Sequence, residues 1–264
     1  MENQPLEFTG MTPDHRPLDL NPGWMNAAGT LGFAPPAEWP VPRPPVAFVT
    51  NPISYRPRKP AQDRALISYP GGFLLHTGWP SPGIREVIRR YAQRWARSPV
   101  PIWVHLLGDT PVHIERMVRQ IEELERVTAI ELSFPYRAAG AEIQDYILAA
   151  LGELPLILAV PLDRVRESGL ERAVDLGLSA VSMAPPRGAL PAASGSLVRG
   201  RLYGPALLAQ TRSALEYLRV FGLPVIAGGG VIRQAEIDEL IQIGAACVQL
   251  DFILWRGWPP TVAD

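Results

Sequence analysis

Two ionisable side chains sit in apolar runs that follow one another in the chain. His105 belongs to "PIWVHLLG" (101–108) and Glu131 to "TAIELSFP" (128–135). A histidine beside a carboxylate is an acid–base couple, because imidazole titrates near neutral pH and the carboxylate stabilises its charged form. With Asp251, in "ACVQLDFIL" (246–254), the same residues would make a set of metal-ligand types. Ligand geometry spread over three separate runs cannot be read from spacing, so no metal ligand is assigned. The plainer alternative is a hydrogen-bonded pair that fills space, since buried charges persist when paired. Asn51 and Ser133 stand near the ends of their own runs and complete this polar set. A second kind of chemistry attaches to "PVIAGGGV" (224–231), where three glycines follow an apolar run. Such a turn lets backbone amides approach a phosphate. The opposing reading is that a strand-to-helix turn needs glycine for its own conformation.

These residues require elements to hold them. Eight short, continuous runs rich in Val, Ile and Leu occupy 23–29, 46–52, 101–108, 128–135, 155–162, 179–186, 224–231 and 246–254. They read as parallel strands buried on both faces. Amphipathic helical patterns fill 81–97, 109–126, 141–153, 162–177, 203–222 and 233–244. The first two open on Ser81-Pro82 and on Asp109-Thr110-Pro111, a capping residue followed by proline at the first helical position. Eight strands with crossover helices predict an α/β fold, a single (β/α)8 barrel over residues 1–264. Two excursions break the alternation, at 53–82 and 184–203. Both leave the carboxyl ends of strands, where such barrels build active sites, and they read as lids; the bland alternative is a proline-rich surface connection.

Composition limits the function further. A 264-residue chain with 47% hydrophobic and 19% charged residues can bury a sizeable core. A net charge of -1 implies no general attraction to nucleic acid or an anionic membrane. No apolar run has the roughly 18 residues of a membrane span, and "MENQPLEFTGMTPDHRP" lacks the basic start and apolar stretch of a signal peptide. A cytoplasmic location is expected. The one cysteine, Cys247, excludes an intrachain disulfide and a cysteine-ligated iron–sulfur cluster. His15, His76 and His113 read as surface or loop residues. Trp24, Trp79 and Trp103 stand near strand ends or in an excursion, where their bulk would stack on a bound ring or replace it. Trp255 and Trp258 lie in a tail that would cover the barrel or an oligomer contact.

Several stretches carry a resemblance. "NPGWMNAAGTLGF" is similar to N-P-x-x-x-A-S-G-T, "FVTNPISYRPRKP" to a V-T-K-T stretch and its loop, and "LLHTGWPSPG" to N-x-x-G-L-x-N-P-G. "IELSFPY" is similar to L-N-x-S-C-P-N, "RLYGPAL" to G-L-S-G-P-A, and "PVIAGGGV…GAACVQLDFIL" to P-I-x-G-x-G-G-I…G-A-x-x-V-Q-x-G-T-A-L. In order and over nearly the whole chain, the sequence resembles the dihydroorotate dehydrogenases, FMN-dependent (β/α)8 barrels of pyrimidine biosynthesis. The resemblance implies FMN, with Ala27, Ala28, Gly29, Asn51, Gly204, Gly229 and Gly230 at cofactor-facing positions. It also implies that His105 and Glu131 face inward at the barrel mouth.

The departures fall on the side chains that would do the chemistry. The family's two flavin-supporting lysines are replaced by Asn51 and Ala159, and its ring-holding asparagines by Leu75, Ser81, Glu131, Tyr136 and Pro185. Its motif cysteine is Phe134, the loop "PYRAAGAEIQ" offers neither Cys nor Ser as base, and the Gly-Thr of the phosphate site is Asp251-Phe252. Proton abstraction needs a base in reach, and a reduced flavin needs cationic support. The expectation is a dihydroorotate dehydrogenase-like barrel that has lost dihydroorotate oxidation and serves as a ligand-binding, structural or partner subunit. Asp251 is expected to take the cofactor phosphate's place from within the chain. The alternative is an FMN-dependent oxidoreductase with a changed substrate and His105 or Glu131 as base. The small-molecule ligand, and the choice between homodimer and partner subunit, stay open at this stage.

Overall fold

The apolar runs become parallel strands in the computed structural model, which describes residues 18, 20–41, 43–167 and 169–258. In chain order the strands are β1 (Trp24–Asn26), β2 (Phe48–Val49), β3 (Ala65–Tyr69), β4 (Gly72–His76), β5 (Ile102–Leu107) and β6 (Val127–Ser133). There follow β7 (Leu156–Pro161), β8 (Ala180–Ala184), β9 (Arg187–Pro191), β10 (Leu197–Tyr203), β11 (Val225–Gly228) and β12 (Cys247–Leu250). Eight of them form one sheet in the order β1-β12-β11-β8-β7-β6-β5-β2, with every pairing parallel. The helices α1 (Ile84–Ala96), α2 (Pro111–Ile121), α3 (Ala141–Ala150), α4 (Leu170–Val174), α5 (Leu208–Leu218), α6 (Gln234–Ile243) and α7 (Phe252–Arg256) separate or follow these strands. Among the described residues, the connection from β1 to β2 has no helix.

The sheet nearly closes into a barrel, and a side chain bridges the remaining seam. Asn26 Nδ2 donates to the Val49 carbonyl at 2.7 Å, and the Val49 amide donates to Asn26 Oδ1 at 2.9 Å. A carboxamide carries one donor and one acceptor side, as a peptide group does. Asn26 therefore adds a ladder-like rung beside the backbone bond from the Val46 amide to the Trp24 carbonyl at 2.9 Å. The core divides accordingly. Met25, Val49, Trp103, Ala129, Ile157 and Cys247 form one buried cluster with alternate strand residues. Their strand neighbours Val104, Ile130, Leu158 and Val248 join the helix residues Ile114, Met117 and Leu215 in the larger cluster. The two-residue period of a strand sends successive side chains to these opposite faces.

Three local details differ from expectation. The run 246–254 leaves the strand at Leu250, because Asp251 accepts from the Phe252 amide and opens α7. Thr110 caps α2 as its position predicts, accepting from the His113 amide at 3.3 Å, with Pro111 first in the helix. The Ser81-Pro82 pair does not cap α1, which begins after Gly83. Ser81 Oγ instead accepts from the amides of Ser54 and Gly83, both at 3.2 Å, and fastens the excursion to the helix start. The helical pattern of 162–177 resolves into a short 3-10 turn, Leu162–Arg164, and the five-residue α4.

The two excursions contain strands and meet each other. β3, β4, β10 and β9 form a second, antiparallel sheet in that order, joined where Tyr203 pairs with Phe73 and Arg201 with Leu75. Glycine permits the junction. A Cβ on Gly72 would stand 1.9 Å from the Tyr203 carbonyl oxygen, and one on Gly204 would stand 2.2 Å from that of Gly71. Aromatic rings secure this sheet to the barrel's last helix. Phe73 lies 5.5 Å from Tyr203, 5.7 Å from Phe252 and 5.7 Å from Trp255, centroid to centroid. Among the described residues, no helix is long and apolar enough to cross a membrane.

Candidate functional site

Two residues beyond the apolar cluster inside the barrel, the same strands turn polar. Trp103 is followed by His105, Ala129 by Glu131, Ala180 by Ser182, and Cys247 by Gln249. β5 and β6 place His105 and Glu131 directly opposite each other, and the other three polar side chains close on Glu131. Its Oε2 lies 2.6 Å from His105 Nδ1, and its Oε1 accepts from Ser182 Oγ at 2.6 Å and Gln249 Nε2 at 2.7 Å. Burial works against the carboxylate. Hydrogen bonding and Coulombic attraction from His105, then the bonds from Ser182 and Gln249, outweigh it and hold the pKa below the usual glutamate value.

His105 passes the chain of contacts upward. Its Nε2 lies 3.1 Å from Ser133 Oγ, and its backbone amide donates to Thr50 Oγ1 at 3.0 Å. Glu131 thus orients the imidazole from one side while Ser133 meets it from the other. This arrangement can hold a proton on His105 or pass one between Ser133 and the ring. All three side chains are buried, and all three border a cavity of about 410 Å3 at the barrel mouth.

The two excursions supply the cavity's opposite wall. Arg58, Trp79, Arg187, Arg201 and Tyr203 line it, facing Asp109, Phe134 and Tyr136 from the strand-end loops. Arg201 lies 3.6 Å over the Trp79 ring and Arg187 lies 4.3 Å over the Tyr136 ring. The Tyr136 hydroxyl donates to Asp163 Oδ2 at 2.5 Å, and its carbonyl accepts from Arg164. The other carboxylate oxygen of Asp163 is buried without a hydrogen-bond partner. Trp79 also stands nearly perpendicular to His105, with centroids 6.0 Å apart and planes at 87°.

Of the residues proposed for a cofactor, Ala27 and Ala28 line this cavity, beside Ala159, and the other five do not. Gly29 has a φ of +89° beside Pro52. Asn51 is spent on the loop after β1, where its Oδ1 accepts from the Gly32 amide at 3.0 Å. Gly204 meets the β3–β4 turn, as described above. Gly229 and Gly230 have φ values of +105° and +87°, and they pack against the start of α5. A Cβ on Gly230 would lie 2.3 Å from the Leu208 amide nitrogen, and Thr211 Oγ1 donates to the carbonyls of Gly228 at 3.0 Å and Gly229 at 2.8 Å. Asp251 is buried at the head of α7, away from the His105–Glu131 pair, so it does not join them as a third ligand. Burial raises its pKa to about 6.

The remaining single-residue expectations distribute as follows. Trp103 lies in the closed apolar layer beneath the polar one, and Trp24 is buried outside the barrel, so neither faces the cavity; Trp79 does. Trp255 joins the lid's aromatic cluster and Trp258 packs on the main core. His76 meets Asp63 at 3.2 Å in the lid. His113 is half-buried, stacked on Tyr55 at 4.3 Å, and is not a plain surface residue. His15 lies outside the described residues. Ser182, Gln249 and the arginines were not anticipated as site residues. Ser182 and Gln249 each stand two positions after an inward apolar residue, and Arg199 and Arg201 alternate in "LVRGRLY". That strand period is the available signal.

No protein-family model matches the chain. Among curated proteins, the catalytic subunit of dihydroorotate dehydrogenase B (NAD(+)) from Pelobacter propionicus is 25% identical over 261 residues, spanning 91% of this chain and 86% of the relative. The subunit of the same name from Desulforudis audaxviator is 24% identical over 264 residues, spanning 88% of this chain and 82% of that protein.

Proposed function

We propose that this chain, a diverged relative of the dihydroorotate dehydrogenases, is a single-domain (β/α)8 barrel that no longer oxidises dihydroorotate. In place of that reaction it holds a small-molecule ligand in the cavity at the barrel mouth. One observation carries the reading. At the level where the family resemblance puts flavin contacts, Glu131 has both carboxylate oxygens engaged by the protein's own His105, Ser182 and Gln249. A buried network satisfied in this way is a floor for the cavity, closed by its own bonds.

The residues present do not fit FMN held in the family's manner. Asn51 and Ala159 provide no cation beneath a flavin ring, and Lys59, the only lysine in the chain, is exposed in the first excursion. The Gly229–Gly230 turn is backed so closely by α5 that a Cβ on Gly230 would clash with the Leu208 amide nitrogen. Asp251 stands where a phosphate-binding Gly-Thr would be expected, and an ionised carboxylate a few Å from a phosphate costs on the order of several kcal/mol at intermediate dielectric. No redox step is assigned to this site.

The test is dihydroorotate-dependent reduction of an artificial electron-accepting dye, with FMN added in excess. The reading predicts a rate equal to that of the protein-free control. Turnover that disappears in His105→Ala or Glu131→Ala would overturn it, in favour of an FMN oxidoreductase with a new base.

A further inference from the structure

The lid sets two arginines directly opposite each other. Arg187 of β9 and Arg201 of β10 are cross-strand partners, and both line the mouth cavity. Like charges opposed on a sheet are destabilising. Among the described residues, no carboxylate comes within ion-pair distance of either guanidinium. Each rests on an aromatic face, Arg201 on Trp79 and Arg187 on Tyr136, which fixes the fork; Arg201 Nη1 also reaches the Pro185 carbonyl at 3.5 Å, and the remaining edge N–H groups are left for a ligand. Burial, with Arg187 as a smaller contributor, pulls the Arg201 pKa to about 10, so the group is charged at neutral pH.

Two further features indicate that the arrangement serves a ligand. Trp79 has a φ of 52°, a left-handed conformation uncommon for a bulky residue. That backbone aims the indole between Arg201 on its face and the His105 ring set nearly perpendicular to it, so it spans from the excursion to the polar floor. The wall also carries excess positive charge. Arg58 joins Arg187 and Arg201, whereas the lining carboxylates, Asp109 and Glu131, are each already paired with a histidine.

We propose that Arg187 and Arg201 form a clamp for the dianionic phosphate group of a small organic phosphate ester, whose organic part lies along Trp79 toward Ser133 and His105. A phosphate offers two charges and three acceptor oxygens to two guanidinium forks, whereas a carboxylate offers one charge and one planar edge. A cavity of about 410 Å3 suits a small molecule. The clamp is on the lid, apart from the Gly229–Gly230 turn. It rests on the ligand-binding reading above and names the ligand class for that site.

The experiment is isothermal titration calorimetry of the full chain with phenyl phosphate, using benzoate as the singly charged comparison. The clamp predicts saturable binding of phenyl phosphate that weakens with added salt, with benzoate about tenfold weaker or more. Arg187→Gln, at an exposed position, is expected to lose about tenfold or more in affinity. Without ligand it should be no less heat-stable than the parent, since one of two opposed charges is gone. Arg201→Gln should lose binding as well; if it does not fold, Arg187→Gln decides. No binding of phenyl phosphate, or equal affinity in Arg187→Gln, would overturn the clamp and leave the loss of dihydroorotate oxidation standing. Dihydroorotate turnover would overturn that loss and leave the clamp standing.

Discussion

Asp251 makes the proposed replacement of a phosphate site by the chain's own carboxylate measurable. It is buried at the junction of β12 and α7 and caps that helix by accepting from the Phe252 amide at 2.5 Å. Burial raises its pKa from an ordinary 3.8 to about 6. Between those values the folded protein binds the proton more tightly than the unfolded chain. Stability therefore falls as pH rises through that window, and the loss is complete above the folded value. At 1.36 kcal/mol per decade, the penalty at neutral pH is about 3 kcal/mol. Asparagine caps helices as well as aspartate does and carries no charge. Asp251→Asn is thus expected to be about 2–3 kcal/mol more stable than the parent near neutral pH, with the gain shrinking toward zero by about pH 4. Urea unfolding of both proteins across this range measures it, and the difference between them cancels the other titrating groups. Equal stability at neutral pH, or a difference that does not change with pH, would refute the reasoning from burial.

Three other substitutions probe the parts that position the site. Glu131→Ala leaves His105, Ser182 and Gln249 without their shared acceptor, and should cost about 3–5 kcal/mol in urea unfolding; a loss below about 1 kcal/mol would mean that the network is not closed as described. Asn26→Ala strips both bonds from the Val49 backbone at the barrel seam. A loss of about 2–4 kcal/mol is expected, with faster hydrogen exchange at the Val49 amide, and unchanged exchange would contradict the seam. Gly204→Ala would place a Cβ against the Gly71 carbonyl. It should free the lid from the aromatic cluster, seen as faster proteolysis within 65–76 and altered tryptophan fluorescence, and an unaltered cleavage pattern would contradict it.

Much of the barrel was legible because its strands are buried on both faces, and continuous apolar runs such as "PIWVHLLG" and "PLILAVPL" have few other readings. The overshoot at 246–254 has a specific cause. "DFIL" continues the apolar composition of the strand, and only the capping geometry of Asp251 turns it into α7. The lid strands were obscured by proline and glycine, and their pairing joins segments more than a hundred residues apart, such as Leu75 with Arg201. His105 and Glu131 were recognisable by type and position. Ser182 and Gln249 were not, because small or amide side chains on a strand signal nothing until the register sets them against Glu131. The facing of Arg187 and Arg201 depends on the same kind of register. The Gly229–Gly230 turn carried two meanings in sequence, and its close packing against Leu207 and Leu208 supports the one in which the turn itself needs glycine.

The central proposal is that the mouth of this barrel does not take a flavin. The ultraviolet–visible spectrum of the purified protein, recorded before and after incubation with FMN and desalting, tests it most directly. The account predicts a colourless protein that retains no absorbance near about 450 nm, the region of the oxidised flavin chromophore. Retained, stoichiometric flavin absorbance after desalting would contradict it.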